Sequence, residues 1–346
     1  MDGKQGMQLD FIHTIQEFDA LAEDWNNLLT RAAVDVPFLR HEFLRAWWSG
    51  LGGGEWRNGE LYTVLAREGG SDLVGAAPLF RTFTKEGLPI LLFLGSFEIA
   101  DYLDLLVPER EIDPFVEALT ISLDAQDRTV WEVLDLYNLL EGSPSLPSLV
   151  KAAGRRGWEV QQETLHPCPQ IDLGGTWEAY LAGLDKKQRH ELRRKMRRAE
   201  QDPAGVHWRL HQAGEDLETA ATRFLELMAH DDEKKTFLSQ QMQDQFRDLM
   251  RAAQRNGWLH LSFLERDGEP VAGALSFDYG GRIWLYNSGI NPEFLSLSPG
   301  WVLIGHIVQW AIEHGREALD FMRGDEKYKY RLGGVARSVQ RLRISR

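Results

Sequence analysis

Residues 258–333 spell one continuous order of elements, and that order narrows the fold more than any other feature of the chain. The runs 258–265 and 271–279 alternate apolar and polar residues around Asp267-Gly268, the pattern of a hairpin. Gly280-Gly281 turns into a further alternating run, 282–289. Ser298-Pro299-Gly300 then opens a helix over 301–313, with apolar residues at 301, 304, 308, 311 and 312. Gly315 ends it, 318–322 reads as a short buried strand, and Arg323-Gly324-Asp325-Glu326-Lys327-Tyr328-Lys329-Tyr330 follows.

A similar order occurs once before. A strand at 9–15 and helices at 19–32 and 41–50 lead to alternating strands at 61–67, 73–83 (after a Gly69-Gly70 turn) and 88–94. Residues 102–107 read as another strand. A helix at 112–125 follows, with Pro114 in its first turn, where proline is tolerated. A strand at 129–137, a helix at 146–156 and a strand at 158–164 complete the half. The second half opens with a strand at 206–211 and helices at 216–230 and 239–256, the latter closed by Gly257. Two arrangements fit: a duplication, or one large mixed α/β domain. The duplication predicts an α/β (mixed α+β) fold of two units, 1–174 and 175–346, each a mixed sheet flanked by helices. A basic helix at about 185–200 precedes the second sheet.

The chain has 346 residues, enough for two domains, and 43% hydrophobic residues, which is incompatible with wholesale disorder. One cysteine, Cys168, excludes an internal disulfide and suits a reducing compartment. No apolar run is long enough to span a bilayer, and MDGKQGMQLDFIH lacks the basic-then-apolar pattern of a signal peptide. A cytoplasmic location is expected. The net charge of −13 argues against general adhesion to nucleic acid or anionic membranes.

Residues 186–198 are the exception, with eight Lys or Arg and one acid. On a helix, Leu192, Met196 and Ala199 form a narrow apolar seam. Lys186, Arg189, Arg193 and Arg197 fall on one flank, and Lys187, Arg194 and Arg198 on the other. Like charges four apart cost about 0.2–0.5 kcal/mol each. Three arrangements answer that repulsion: neutralisation by acidic patches of the same chain, docking of a phosphorylated ligand, nucleotide-linked substrate or tRNA, or a membrane surface. Arginine outnumbers lysine, which favours bidentate phosphate contacts.

Candidate chemistry gathers in the second half. Ser298 is expected to cap the helix, Pro299 suits its first position, and Gly300 lets backbone approach a ligand, so this end is a candidate anion site. The matching place in the first half, Pro108-Glu109-Arg110-Glu111, is acidic and glycine-free. Asp320 interrupts a strand that should be central, which requires either a hydrogen-bonded or a catalytic role. General-base chemistry needs a carboxylate in reach of the proton it takes, and an anionic ligand or intermediate needs fixed donors. Asp325 or Glu326 fits the base, and Arg323 and Lys329 fit phosphate or carboxylate. Asp101, Tyr102 and Asp104 form either a solvated strand start or an acceptor-binding corner. The histidines have no metal-ligand spacing, so no metal is expected. Gly52-Gly53-Gly54 lacks the Lys-Ser/Thr of a P-loop.

Several segments resemble the tandem GCN5-related N-acetyltransferase (GNAT) family associated with bacterial cellulose and exopolysaccharide genes. They are Phe43-Leu44-Arg45-Ala46-Trp47-Trp48, Leu94-Gly95-Ser96 with Asp101-Tyr102-Leu103-Asp104, and Trp177-Glu178-Ala179-Tyr180-Leu181 leading into the basic segment. Ser298-Pro299-Gly300 and the run from Leu319 to Arg331 complete them. The family is similar in architecture to the Fem aminoacyl transferases, which build peptidoglycan cross-bridges from aminoacyl-tRNA. The resemblance implies N-acyl transfer from a carrier thioester, acyl-CoA, to an amine of a sugar or other cell-envelope precursor. The donor is expected between the fourth and fifth strands of the second unit, with Asn287, Ser288, Ser298, Gly300, Arg323 and Lys329 around it. The acceptor is expected between the halves, near Asp101, Tyr102 and Asp104. Two other functions stand beside this one: an aminoacyl transferase that binds tRNA through the basic helix, and a non-catalytic scaffold for polysaccharide synthesis.

Overall fold

The structure is a computed structural model that describes residues 7–69 and 72–346. Gly70, half of the expected Gly69-Gly70 turn, lies outside the described residues. The chain divides into two compact units, residues up to His166 with Ser338–Arg346, and Pro167–Arg337.

The first unit opens with β1 (Gln8–Ile12), α1 (Ile15–Asp19), α2 (Ala22–Leu29) and α3 (His41–Gly54). Strands β2 (Glu60–Leu61), β3 (Thr63–Glu68), β4 (Asp72–Ala77), β5 (Leu79–Phe83) and β6 (Pro89–Phe93) follow. Next come α4 (Ile112–Asp124), β7 (Val133–Leu140), α5 (Ser145–Arg155) and β8 (Glu159–Asp172), in which the chain crosses into the second unit. The strand expected over 73–83 is split at Pro78, which has no amide hydrogen to give a ladder. On either side of it β4 joins β3 and β1, while β5 joins β2 and β6. The strand expected over 102–107 does not form; Leu106 makes a single bridge to Ala76. Trp25, Trp47 and Trp131 are fully buried in this unit's core.

The second unit continues with α6 (Trp177–Gly183), α7 (Lys186–Glu200), β9 (Val206–Leu210), α8 (Leu217–Met228), α9 (Asp232–Phe237) and α10 (Gln240–Arg255). Then come β10 (Leu259–Arg266), β11 (Glu269–Tyr279), β12 (Arg282–Ile290), α11 (Pro299–Glu313), β13 (Ala318–Asp320) and α12 (Lys327–Arg331). The closing strand β14 (Val335–Ser345) returns the chain to the first unit, where it pairs antiparallel with β7.

The same order occurs in both units. Antiparallel β5 and β6 lead through α4 to β7, parallel to β6; antiparallel β11 and β12 lead through α11 to β13, parallel to β12. The first unit holds an antiparallel three-stranded sheet, β1-β3-β4, beside a mixed one, and the second is built on a mixed sheet; helices flank both units. In the second, Val302, Ile304 and Val308 of α11 share one buried cluster with Leu264, Ala272, Ala274 and Ile283 of the sheet. Helices α8 and α10 pack against the same strands. The basic segment folds as α7 and buries Leu192, Met196 and Ala199, the expected seam. It lies on α11 at Gly305, where a Cβ would stand 2.9 Å from Met196 Sδ.

Candidate active site

Strands β12 and β13 part company early. They pair from Arg282↔Ala318 to Trp284↔Asp320, and there β13 stops while β12 runs on to Ile290. Beyond Trp284 no strand among the described residues pairs with β12 on that side. The expected strand over 318–322 is cut short because Met322 takes a left-handed φ of 60°, which ends a ladder. Asp320 is buried, and its Oδ1 accepts the Met322 N–H at 2.7 Å, so this carboxylate shapes the turn that opens the gap.

A bulge re-aims the open stretch of β12. Leu275 pairs with Asn287 but Ser276 with Leu285, leaving Tyr286 as the extra residue. Asn287 Oδ1 accepts the N–H of Ser288 at 2.9 Å and the ammonium of Lys234 at 2.9 Å. The same ammonium donates to the Ser288 carbonyl at 2.5 Å. Lys234 comes from α9, which Asp231 caps by accepting the Lys234 N–H at 3.0 Å. Burial holds the Lys234 pKa below the usual lysine value, against the pull of Asp231 and Glu326. Lys234 is not among the candidate residues read from the sequence. Its one legible signal is Asp231, an N-cap residue three positions upstream.

The far side of the gap is the turn from Arg323 to Tyr330. Gly324 has φ 127°, and a Cβ there would lie 2.2 Å from Glu326 Oε2. Lys329, expected as a phosphate contact, turns inward and is buried. Its ammonium donates to the carbonyls of Met322 (3.2 Å), Arg323 (2.8 Å) and Gly324 (3.3 Å) and pairs with Glu326 at 3.0 Å. The Asp325 carboxylate accepts the Tyr330 hydroxyl at 2.6 Å, a bond that pushes the phenol up to about 12. Glu326 stays open to solvent, its side chain 55% exposed. The turn thus presents Asp325 and Glu326 together, while Arg323 is half-buried.

Ser298 does not cap α11 with its side chain. It sits at φ 56°, and its carbonyl accepts the N–H groups of Trp301 and Val302. Pro299 takes the first turn, as expected, and Gly300 faces Ile290, 3.0 Å from where a Cβ would be. Lys195 of α7 lies 4.5 Å above the Trp301 ring in that turn, which places the basic helix beside the start of α11. Within α7, Glu191 pairs with Arg194 and Lys195, and Arg189 donates to the Ala182 carbonyl. Lys186, Arg193 and Arg197 are exposed, so neutralisation within the helix covers only part of its charge.

In the first unit the corresponding gap is filled by the unit's own chain. Past the β6–β7 pairing, Leu103 donates its N–H to the Asn138 carbonyl at 3.0 Å. Asn138 Nδ2 donates to the carbonyls of Phe97 (2.8 Å) and Ala100 (2.7 Å), and Phe97 stacks on Tyr137. Asp101, Tyr102 and Asp104 lie in this insert and are buried rather than solvated. Asp104 accepts from the Ser143 hydroxyl and the Leu105 N–H, and burial pushes its carboxyl up to about 6. Among the described residues, no group of three or more His, Cys, Asp or Glu is placed to hold a metal ion.

The acetyltransferase (GNAT) domain family matches residues 186–330, which span the basic helix, the open β12 edge and the 323–330 turn. No curated protein matches the chain. Among solved structures, FemX is 12% identical and covers 97% of both chains with a TM-score of 0.67. A conserved protein of unknown function from Bacteroides thetaiotaomicron is 10% identical, covering 98% of this chain and 100% of its own, with a TM-score of 0.60. L-PGS from Bacillus licheniformis is 12% identical over 92% of this chain and 90% of its own, at 0.57. At these identities the likeness is one of fold.

Proposed function

We propose that this protein is an N-acyltransferase that moves an acyl group from a carrier thioester, acyl-CoA, to an amine of a sugar or cell-envelope precursor. The observation that carries the reading is the break in pairing at Trp284↔Asp320, which leaves the bulged end of β12 as an open strand edge. An extended donor arm fits such an edge by lying alongside it as an added strand would. Carboxylates stand at the mouth of the gap, as amine acylation requires. Glu326, whose side chain is open to solvent, serves as base for the acceptor ammonium. Asp325, tied to Tyr330, steadies the turn. The first unit is filled at the equivalent place and contributes no second donor site.

Titration calorimetry with acetyl-CoA tests the reading. Saturable binding that Gly324→Val abolishes is expected; an absence of binding to acetyl-CoA and to longer acyl-CoA homologues would sink it.

A second reading rests on the exposed Lys186, Arg193 and Arg197, whose charge suits a phosphate backbone. In that reading the donor is an aminoacyl-tRNA. It predicts tRNA binding that weakens steeply with salt. A scaffold without chemistry is the remaining alternative, and retention of biological function by Asp325→Asn and Glu326→Gln together would favour it.

A further inference from the structure

Acyl transfer through a tetrahedral intermediate needs a donor aimed at the carbonyl oxygen, and most donors around the β12 gap are already committed. The Ser288 N–H is held by Asn287 Oδ1. The Lys329 ammonium is shared among the carbonyls of Met322, Arg323 and Gly324 and the Glu326 carboxylate. Lys234 is different. Its ammonium has three N–H groups, and the hydrogen bonds it makes go to Asn287 Oδ1 and the Ser288 carbonyl. It sits at the stretch of β12 that no further strand covers, and it is largely removed from water, where a charge acts most strongly on a developing oxyanion.

We infer that Lys234 is a catalytic residue of the acyl transfer proposed above, its remaining N–H directed at the carbonyl oxygen of the acyl thioester. The inference rests on that reading of the site. The acceptor nitrogen bonds to the carbonyl carbon and its proton passes to Glu326. The oxyanion that forms is held by the Lys234 ammonium. Collapse of the intermediate breaks the C–S bond and the thiolate leaves. Lys234 keeps its proton throughout and serves as a fixed charge. Asn287 and Ser288 are then the groups that aim it: the bulge at Tyr286 turns them toward α9. The charged groups acting on Lys234 are Asp231 on its own helix cap and Glu326 and Lys329 from the facing turn.

Isotope-edited infrared spectroscopy reads this contact without knowledge of the acceptor. Acetyl-CoA with a labelled thioester carbonyl is bound to the full-length protein, to Lys234→Met and to Lys234→Arg, after calorimetry has established binding to each. The carbonyl stretch is expected to fall on binding to the parent protein and to Lys234→Arg, and to return toward its solution value in Lys234→Met. Basal thiol release from acetyl-CoA should drop about 100-fold or more in Lys234→Met, with KM little changed. Near-ultraviolet circular dichroism verifies the fold of each variant. Should Lys234→Met not fold, the pH profile of Lys234→Arg decides. The arginine stays charged, so the decline in rate that follows loss of the lysine proton should be absent. A stretch and a rate that are the same in Lys234→Met as in the parent, or a Lys234→Arg profile that keeps the alkaline decline, overturn the inference while leaving the donor site intact. Failure of the parent protein to bind acetyl-CoA at all removes the donor reading and this inference together.

Discussion

Gly289 on β12 lies against the backbone of Leu227: a Cβ built on the glycine would stand 2.4 Å from the Leu227 carbonyl carbon. The obstacle is main chain on α8, which has no rotamer to yield. Gly289→Ala must therefore push β12 and α8 apart, at a cost of about 1–3 kcal/mol. Urea unfolding should show a lower midpoint with an unchanged slope. Acetyl-CoA affinity should fall with it, because Asn287 and Ser288 lie just upstream. A midpoint equal to that of the parent protein would contradict the close approach.

The 322–326 turn is expected to depend on Lys329 for its order. Lys329→Met leaves three backbone carbonyls and Glu326 without their cation. Buried acceptors left unpaired cost about 1–3 kcal/mol. Hydrogen exchange should quicken at Gly324 and through α12, with little change in β10 and β11. Uniform protection across the unit in the variant would assign Lys329 a different role.

Stability should respond to acid through His260. This side chain is 1% exposed, packs on Trp310, and is held neutral by burial until about pH 4. An unfolded histidine titrates near 6.5. The folded pKa is the lower of the two, so the stabilisation is complete above 6.5 and is lost as pH falls from there toward 4, by ~3 kcal/mol. His260→Phe should flatten the fall in urea midpoint across that window.

Asp104 should act in the opposite direction. Its folded pKa of about 6 lies above the ordinary 3.8, so the folded state binds the proton more tightly. Stability should decline as pH rises from 3.8 through 6 and level off above that. Asp104→Asn removes this slope, and the difference in midpoint between variant and parent plotted against pH checks it. A pH-independent difference would mean that the carboxyl is ionised in the fold.

Reversal of charge on α7 separates the donor readings. Lys186→Glu, Arg193→Glu and Arg197→Glu together spare the buried seam and the Arg189 contact to Ala182. If the donor is acyl-CoA in the β12 gap, acetyl-CoA binding by calorimetry should survive the change. If the chain binds tRNA, filter binding should lose both affinity and the steep dependence on salt.

The order of strands and helices in the second unit was legible because its signals are local. Asp267-Gly268 and Gly280-Gly281 mark turns, and of the expected apolar stripe on α11, Ile304, Val308 and Ala311 are buried in the core with Trp301 and Ile312 packed beside them. The seam of α7 was legible for the same reason. Lys234 was not, because Asp231-Asp232-Glu233-Lys234-Lys235 has the composition of a solvated helix start and only tertiary packing buries one of its charges. Ser298 misled through its residue type. Serine favours the N-cap, yet here the preceding turn from Pro292 to Leu297 forces a left-handed backbone on it, so its side chain cannot reach the helix. The burial of Asp104 depends on Asn138, at φ 62° within a strand, which no nearby residue announces. Strand β14 also went unread, although Leu342 and Ile344 alternate with Arg341 and Arg343; its partner β7 lies some two hundred residues away in sequence.

That last strand carries a consequence for biosynthesis. A nascent chain complete to Arg337 holds the residues of β9 to β13, but β7 lacks its antiparallel neighbour. Asp135, buried in β7, has not yet met Arg341 and Arg343, the guanidinium groups that neutralise it. The first unit therefore lacks one of its strands until residues 338–345 have been made, whereas β9 to β13 all precede them in the sequence.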